Sequence, residues 1–171
     1  TVAFGGKALE PPVDDVDRAG YAAPVLFEVG GRRLLAAVGG RHLVVADPET
    51  GRLLWTQEVA AVYEVIGAMP LWCEAGLLYA APDVGARLYS VAVEGETVSV
   101  TERWQHPIDN CHGAFVFQDG LVIGSGYRLY RPWAALAAAT GVVQAEDKAL
   151  DAGCVLAADG RLYGLTEKGD L

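Results

Sequence analysis

The sequence predicts an all-β fold assembled from repeated units of four short antiparallel strands. Three observations carry that reading: a loose period of about 44 residues, two ladders of glycines in step with it, and short apolar runs between the turn signals. The first ladder falls between the opening two strands of each unit, at Gly30-Gly31, Ala75-Gly76, Asp119-Gly120 and Asp159-Gly160. The second residues of these pairs stand 45, 44 and 40 positions apart. The second ladder lies between strands three and four, at Gly51, Gly95 and Gly141, with steps of 44 and 46. Hairpin tips are therefore expected at Gly31, Gly51, Gly76, Gly95, Gly120, Gly141 and Gly160, because glycine reaches φ > 0 without a Cβ clash.

The runs between these turns supply the strands. The first unit offers residues 25–29, 34–38, 42–46 and 53–57, all short and rich in aliphatic or β-branched side chains. The second offers 68–73, 77–81, 88–93 and 98–104, and the third 114–118, 121–125, 133–138 and 142–145. The fourth has two runs only, 154–158 and 161–166. The alanine-rich stretch from Trp133 has helical propensity, but its place in the period predicts a strand. Units of this length built only of strands point to a β-propeller of four-stranded antiparallel blades, in which no blade buries both faces alone. About three full blades, at 21–60, 61–107 and 108–148, would precede part of a fourth at 149–171. Residues 1–20 do not fit the period and read as an arm or the remnant of a preceding blade.

Composition agrees with a packed all-β body. Of the 171 residues 52% are hydrophobic and 20% charged, and 21 are glycine. No apolar run approaches the roughly 18 residues that a membrane helix requires. The net charge of −9 counts against nucleic acid, whose phosphates need a basic face. The chain opens at Thr1 with no initiator methionine, basic n-region or apolar h-region. A processed protein, an isolated domain or a fragment is expected, the mid-unit stop favouring the last two.

The clearest local signature is Ala46-Asp47-Pro48-Glu49-Thr50-Gly51-Arg52-Leu53-Leu54-Trp55. It resembles the repeat of the pyrroloquinoline-quinone (PQQ) type β-propellers, in which an Asp-x-x-Thr-Gly-x-x-x-Trp turn closes each blade. His112-Gly113, Gly124-Ser125-Gly126 and Ala139-Thr140-Gly141 resemble the bacterial PQQ-binding-like members, and Ala157-Ala158-Asp159-Gly160 through Leu171 is similar to their closing blades. The resemblance covers roughly Tyr21 to Leu171. It implies a scaffold or a quinone enzyme, and a periplasmic or extracellular setting. Asp47, Thr50 and Gly51 are expected to shape the blade turn, and Trp55 to pack between blades. The second unit ends in Trp104 without a Thr-Gly turn, and the third puts Gln144 where tryptophan would fall.

A quinone dehydrogenase of that family implies a calcium held by carboxylate and amide oxygens, an aspartate base and a vicinal cysteine pair. Calcium takes six to eight oxygen ligands. Cys73, Cys111 and Cys154 are isolated, and Asp14-Asp15-Val16-Asp17, the densest acidic run, lacks the glycine and distal glutamate of an EF-hand loop. No cofactor is expected on these grounds; PQQ with calcium belongs to the alternative alone. Cys73 and Cys154 are expected to be buried as small hydrophobes and Cys111 to be the exposed thiol.

The most suggestive cluster is His106-Pro107-Ile108-Asp109-Asn110-Cys111-His112-Gly113, in the connection entering the third unit. Asp109, Asn110 and His112 are the candidate ligand-binding residues, set against loop-capping hydrogen bonds as the plainer reading. Two function classes remain. One is a non-catalytic propeller that presents a surface to protein, carbohydrate or another ligand, its open edges covered by another copy of the chain or by the rest of a parent propeller. The other is a fragment of a PQQ- and calcium-dependent oxidoreductase whose cofactor residues lie mostly outside this stretch.

Overall fold

The computed structural model describes residues 20–59, 61, 64–111 and 113–171. Fourteen strands run through these residues, with no helix among them. The first sheet contains β1 (Val25–Val29), β2 (Arg32–Val38), β3 (His42–Ala46) and β4 (Leu53–Glu58). The second contains β5 (Leu71–Cys73), β6 (Gly76–Ala81), β7 (Gly85–Glu94) and β8 (Thr97–His106), and the third β9 (Val116–Gln118), β10 (Leu121–Ser125), β11 (Trp133–Ala137) and β12 (Val143–Asp147). A two-stranded sheet, β13 (Gly153–Ala158) with β14 (Arg161–Thr166), follows. Each sheet is antiparallel and keeps chain order, so every strand pairs with its immediate neighbour in sequence.

Turn chemistry explains the tips. Both residues of Gly30-Gly31, Asp119-Gly120 and Asp159-Gly160 have positive φ, the backbone that two-residue hairpins of this twist require. Gly76 departs from expectation. The tip is Glu74-Ala75, and Gly76 is the first residue of β6, paired with Cys73. Its φ of 138° brings the backbone so close to β7 that a Cβ would meet the Tyr89 carbonyl oxygen at 2.1 Å. The strand expected from Ala68 begins only at Leu71, after Pro70, which has no N–H for a ladder. The alanine-rich stretch from Trp133 is strand, as its position in the period predicted.

The outer hairpin of each four-stranded sheet carries a register shift, at Val45/Ala46, Leu88/Tyr89 and Ala135/Leu136. Leu54, Arg103 and Gln144 are the extra residues, each left without a cross-strand partner. The bulge places Trp55 opposite Val45 and Trp104 opposite Leu88. In the third sheet Ala145, not Gln144, stands at that position, opposite Ala135. The first and third sheets share the same bulge, so Ala145, four residues after Gly141 as Trp55 is after Gly51, is the residue that replaces the tryptophan.

Packing runs from sheet to sheet. One core joins Phe27, Leu34, Ala36 and Val45 of the first sheet to Leu77, Tyr79 and Tyr89 of the second. A second core joins Leu78, Ala80 and Leu88 to Val122, Ala134 and Leu136 of the third. Alternate residues of β6 thus enter different cores, which is why that strand is buried along its whole length. The opening strands β1, β5, β9 and β13 lie beside one another in order, and the outer strands β4 and β8 touch.

Tryptophans bridge the gaps. Trp55 meets Tyr89 edge-on at 5.4 Å, Trp72 stacks on Phe27 at 4.5 Å, and Trp104 Nε1 donates to the Ala138 carbonyl at 2.8 Å. Trp133 Nε1 donates to the Asp151 carbonyl at 2.7 Å. Replacing Trp55 by alanine is expected to lower stability by about 3 kcal/mol, the low end for a large aromatic because the ring is only part-buried. Urea denaturation checks this; an unchanged midpoint would show that the ring does not join the two sheets.

Candidate functional site

The segment between β8 and β9 carries a carboxylate and an amide that are both buried, Asp109 with no exposure and Asn110 at 2%. Burial of a carboxylate is costly unless donors surround it. Five backbone N–H groups do so. Asp83 donates to Oδ2 at 3.2 Å, while Tyr127, Arg128, Leu129 and Tyr130 donate to Oδ1 at 3.2, 2.9, 3.0 and 3.4 Å. Arg128 N also lies 3.2 Å from Oδ2.

These donors come from two loops of different sheets. Asp83 belongs to the β6–β7 loop of the second sheet, and residues 127–130 to the β10–β11 loop of the third. A single side chain therefore ties both to the connection between the sheets. Asp83 itself adopts φ 61°, a left-handed backbone that aspartate tolerates better than most residues. Arg128 reinforces the tie through an ion pair with Asp83 at 3.1 Å and lies over the Tyr127 ring, 5.1 Å from its centroid.

Asn110 continues the network toward the fourth sheet. Its Nδ2 donates to the Ser125 carbonyl at 3.1 Å, and its Oδ1 accepts from Gly113 N at 2.8 Å. Ser125 then grips β13 twice: its Oγ donates to the Gly153 carbonyl at 2.7 Å and accepts from Gly153 N at 3.0 Å. Gly113 fits against this junction because a Cβ there would sit 2.9 Å from the Gly153 oxygen. His112 lies outside the described residues. His106 accepts from Ile108 N at Nδ1, 3.0 Å, and meets Tyr130 edge-on at 5.0 Å; burial pushes its pKa down, which favours the neutral ring.

A cleft of about 220 Å3 opens between the third and fourth sheets, lined by Asn110, Cys111, Ser125, Gly153, Cys154 and Thr166 among others. It adjoins a larger, more polar groove of about 530 Å3, whose walls include Tyr127, Arg131, Lys148, Asp151 and Glu167. The thiols reverse the expectation from sequence. Cys111 is buried and Cys154 exposed, Cys73 being buried as expected. Cys154 sits on a face of β13 that no further sheet covers among the described residues, whereas Cys111 sits where the connection runs beside Gly67, whose N–H donates to the Cys111 carbonyl. Burial raises the Cys111 thiol pKa. Among the described residues no three His, Cys, Asp or Glu side chains are grouped to hold a metal ion.

The Asp-Pro-Glu-Thr-Gly turn lies between β3 and β4. Asp47 Oδ1 accepts from the backbone N–H groups of Glu49 and Thr50, both at 3.0 Å, and Oδ2 accepts from Arg32 at 3.1 Å. Thr50 Oγ1 accepts from Arg52 N, and Gly51 N donates to the Asp47 carbonyl with φ 72°. Arg32 also donates to the Glu96 carbonyl at 2.9 Å, so the signature turn is fastened to the tip of the next sheet. That link was not foreseen; the only sequence signal for it is Arg32 itself, just after the Gly30-Gly31 tip.

Ser125 and the Asp83–Arg128 pair were likewise missed as site residues. Gly124-Ser125-Gly126 is unusual for a strand end, but nothing local reveals that its hydroxyl serves another sheet. Comparison with known proteins finds no family model that matches this chain and no curated protein similar to it.

Asp109→Asn is expected to destabilise the chain by about 3 kcal/mol in urea titration, since the amide nitrogen would face backbone donors and charge-assisted bonds would be lost. Stability equal to wild type would show that the carboxylate does not hold the loops. A second expectation concerns acid. The Thr50 backbone N–H and Arg32 hold the Asp47 carboxyl at about 2, below its ordinary 3.8. A depressed carboxylate pKa stabilises the folded state above the unfolded value and loses that contribution as pH falls toward 2. The unfolding midpoint of Asp47→Asn, followed from pH 5 to pH 2, should therefore fall less than that of wild type.

Proposed function

We propose that this chain is a non-catalytic β-propeller segment of the PQQ-like repeat type, serving as a scaffold or binding module. The observation that carries this reading is the use to which Asp109 and Asn110 are put. Both carboxylate oxygens of Asp109 and the amide oxygen of Asn110 already accept from backbone N–H groups, where a calcium or a substrate proton would need them. Residues so engaged join loops; they are poor metal ligands and poor bases. The adjacency of β1, β5, β9 and β13 supports a propeller-like ordering, with the opening strand of each blade innermost.

The binding surface is the cleft between the third and fourth sheets with its adjoining polar groove, a place for a protein loop or a carbohydrate. The outer face of the two-stranded sheet exposes Leu156, Tyr163 and Leu165. In this reading it is covered by another copy of the chain or by the rest of a parent propeller. The alternative, a fragment of a PQQ- and calcium-dependent oxidoreductase, draws its cofactor residues mostly from outside this stretch, and could use Asp109 and Asn110 only if they gave up the bonds that order both loops.

Titration with PQQ and calcium distinguishes the two. The expected result is an unchanged cofactor absorbance and an unchanged melting temperature of the protein, with light scattering on the same sample giving a mass above the 18.0 kDa of one chain. A calcium-dependent spectral change that Asp109→Asn abolishes would establish the enzyme reading instead. A monomer at high concentration would remove the self-association part of the proposal.

A further inference from the structure

Three polar atoms are buried between the first and second sheets without a hydrogen bond of good geometry: the hydroxyl oxygens of Tyr79 and Tyr89 and Nε of Arg87, although the Arg87 guanidinium lies beside the Tyr89 hydroxyl. Tyr79 is fully buried and Tyr89 is 2% exposed. The strand register brings the three together. Tyr79 on β6 stands directly opposite Arg87 on β7, and Tyr89 follows two residues later on the same face. Both tyrosine rings belong to the core that Phe27, Leu34 and Val45 form from the other side.

Arg87 reaches past this core to the edge of the sheet, where its Nη1 meets Glu102 at 3.2 Å. Its charge is thereby balanced, and the inward Nε–H is left over. Burial pushes both phenol pKa values up, with the guanidinium offsetting part of the rise. The two hydroxyls are therefore neutral at ordinary pH, each able to donate one hydrogen bond and accept others. Packing accounts for the rings. It does not account for the hydroxyls, which phenylalanine would omit without loss of ring volume.

We infer that the position shared by Tyr79, Tyr89 and Arg87 is a binding site for one internal water molecule. Its oxygen accepts from Arg87 Nε–H and from one phenol, and it donates one hydrogen to the other phenol oxygen. Three bonds is the usual count for a buried water, and all three protein atoms gain a partner. A small anion fits less well, because Glu102 already neutralises Arg87 and the anion would be an uncompensated charge in an apolar core. The water would lie beside the Tyr89–Trp55 contact, at the interface that binds the first sheet to the second.

The test uses Tyr79→Phe, Tyr89→Phe and the double variant, which keep both rings and the edge-on contact with Trp55. Each single change is expected to lower the melting temperature by about 2–4 °C. The double variant should fall by less than the sum, because both hydroxyls hold the same molecule. Water-oxygen magnetic relaxation dispersion should detect one long-lived water in wild type that the double variant lacks. A single variant as stable as wild type or more so would overturn the inference, showing the hydroxyls dry. So would an unchanged dispersion amplitude in the double variant. A wild-type melting temperature that rises with chloride, while that of the double variant does not, would replace the water with an anion.

Discussion

The whole structure rests on a central sheet, the second, that is buried on both faces. β6 sends Leu77, Tyr79 and Ala81 into one core and Leu78 and Ala80 toward the other, and all are buried. Such a strand has no solvent side, so the second sheet exists only between neighbours. At about 25 cal/mol per Å2 of apolar surface removed from water, this burial dominates every polar contact described above. The polar contacts decide something else, namely how one sheet is oriented and seated on the next.

Each junction solves that problem with different chemistry. The first and second sheets are tied at their tips by Arg32, which spans Asp47 and the Glu96 carbonyl. The second and third are tied by the Trp104 indole at one end and by Asp109 at the other. The third and fourth are tied by Ser125 on Gly153 and by the Trp133 indole on Asp151. Apolar burial is non-directional, whereas a buried hydrogen bond holds only within a narrow range of distance and angle. One or two such bonds per junction suffice to fix register. That is why Ala137 can occupy in the third sheet the place that Asp47 holds in the first: both turns close, with Gly141 N donating to Ala137 O and Gly51 N to Asp47 O, but only the first needs Arg32.

Much of this was legible in the sequence because strand and turn are local events. Alternating or continuous aliphatic runs and Asp-Gly tips depend on residues within a few positions of each other, so the strand assignments differ from the structure mainly at their ends. What stayed hidden depends on partners distant in sequence. The bulges that leave Leu54, Arg103 and Gln144 without cross-strand partners have no mark in composition. The exposure of Cys154 follows from its place on the open face of a two-stranded sheet, and the burial of Cys111 from a neighbouring connection. Asp109 and Asn110 stood out as unusual, yet their roles did not, because backbone N–H donors from residues 83 and 127–130 have no side-chain signature.

The same point bears on how a site should be recognised in a fold of this kind. A buried carboxylate in a loop invites a catalytic reading, since active sites concentrate such groups. The test is where its lone pairs go. In Asp109 they go to five amides of two loops. The carboxylate acts as a fixed negative centre around which two turns condense. It replaces the water that exposed loop amides would otherwise bind. The loop it holds then presents Arg128 and Leu129 to solvent in an ordered backbone. An ordered exposed loop loses less entropy on meeting a partner than a free one. Burying Asp109 thus orders the backbone that carries Arg128 and Leu129 at the surface.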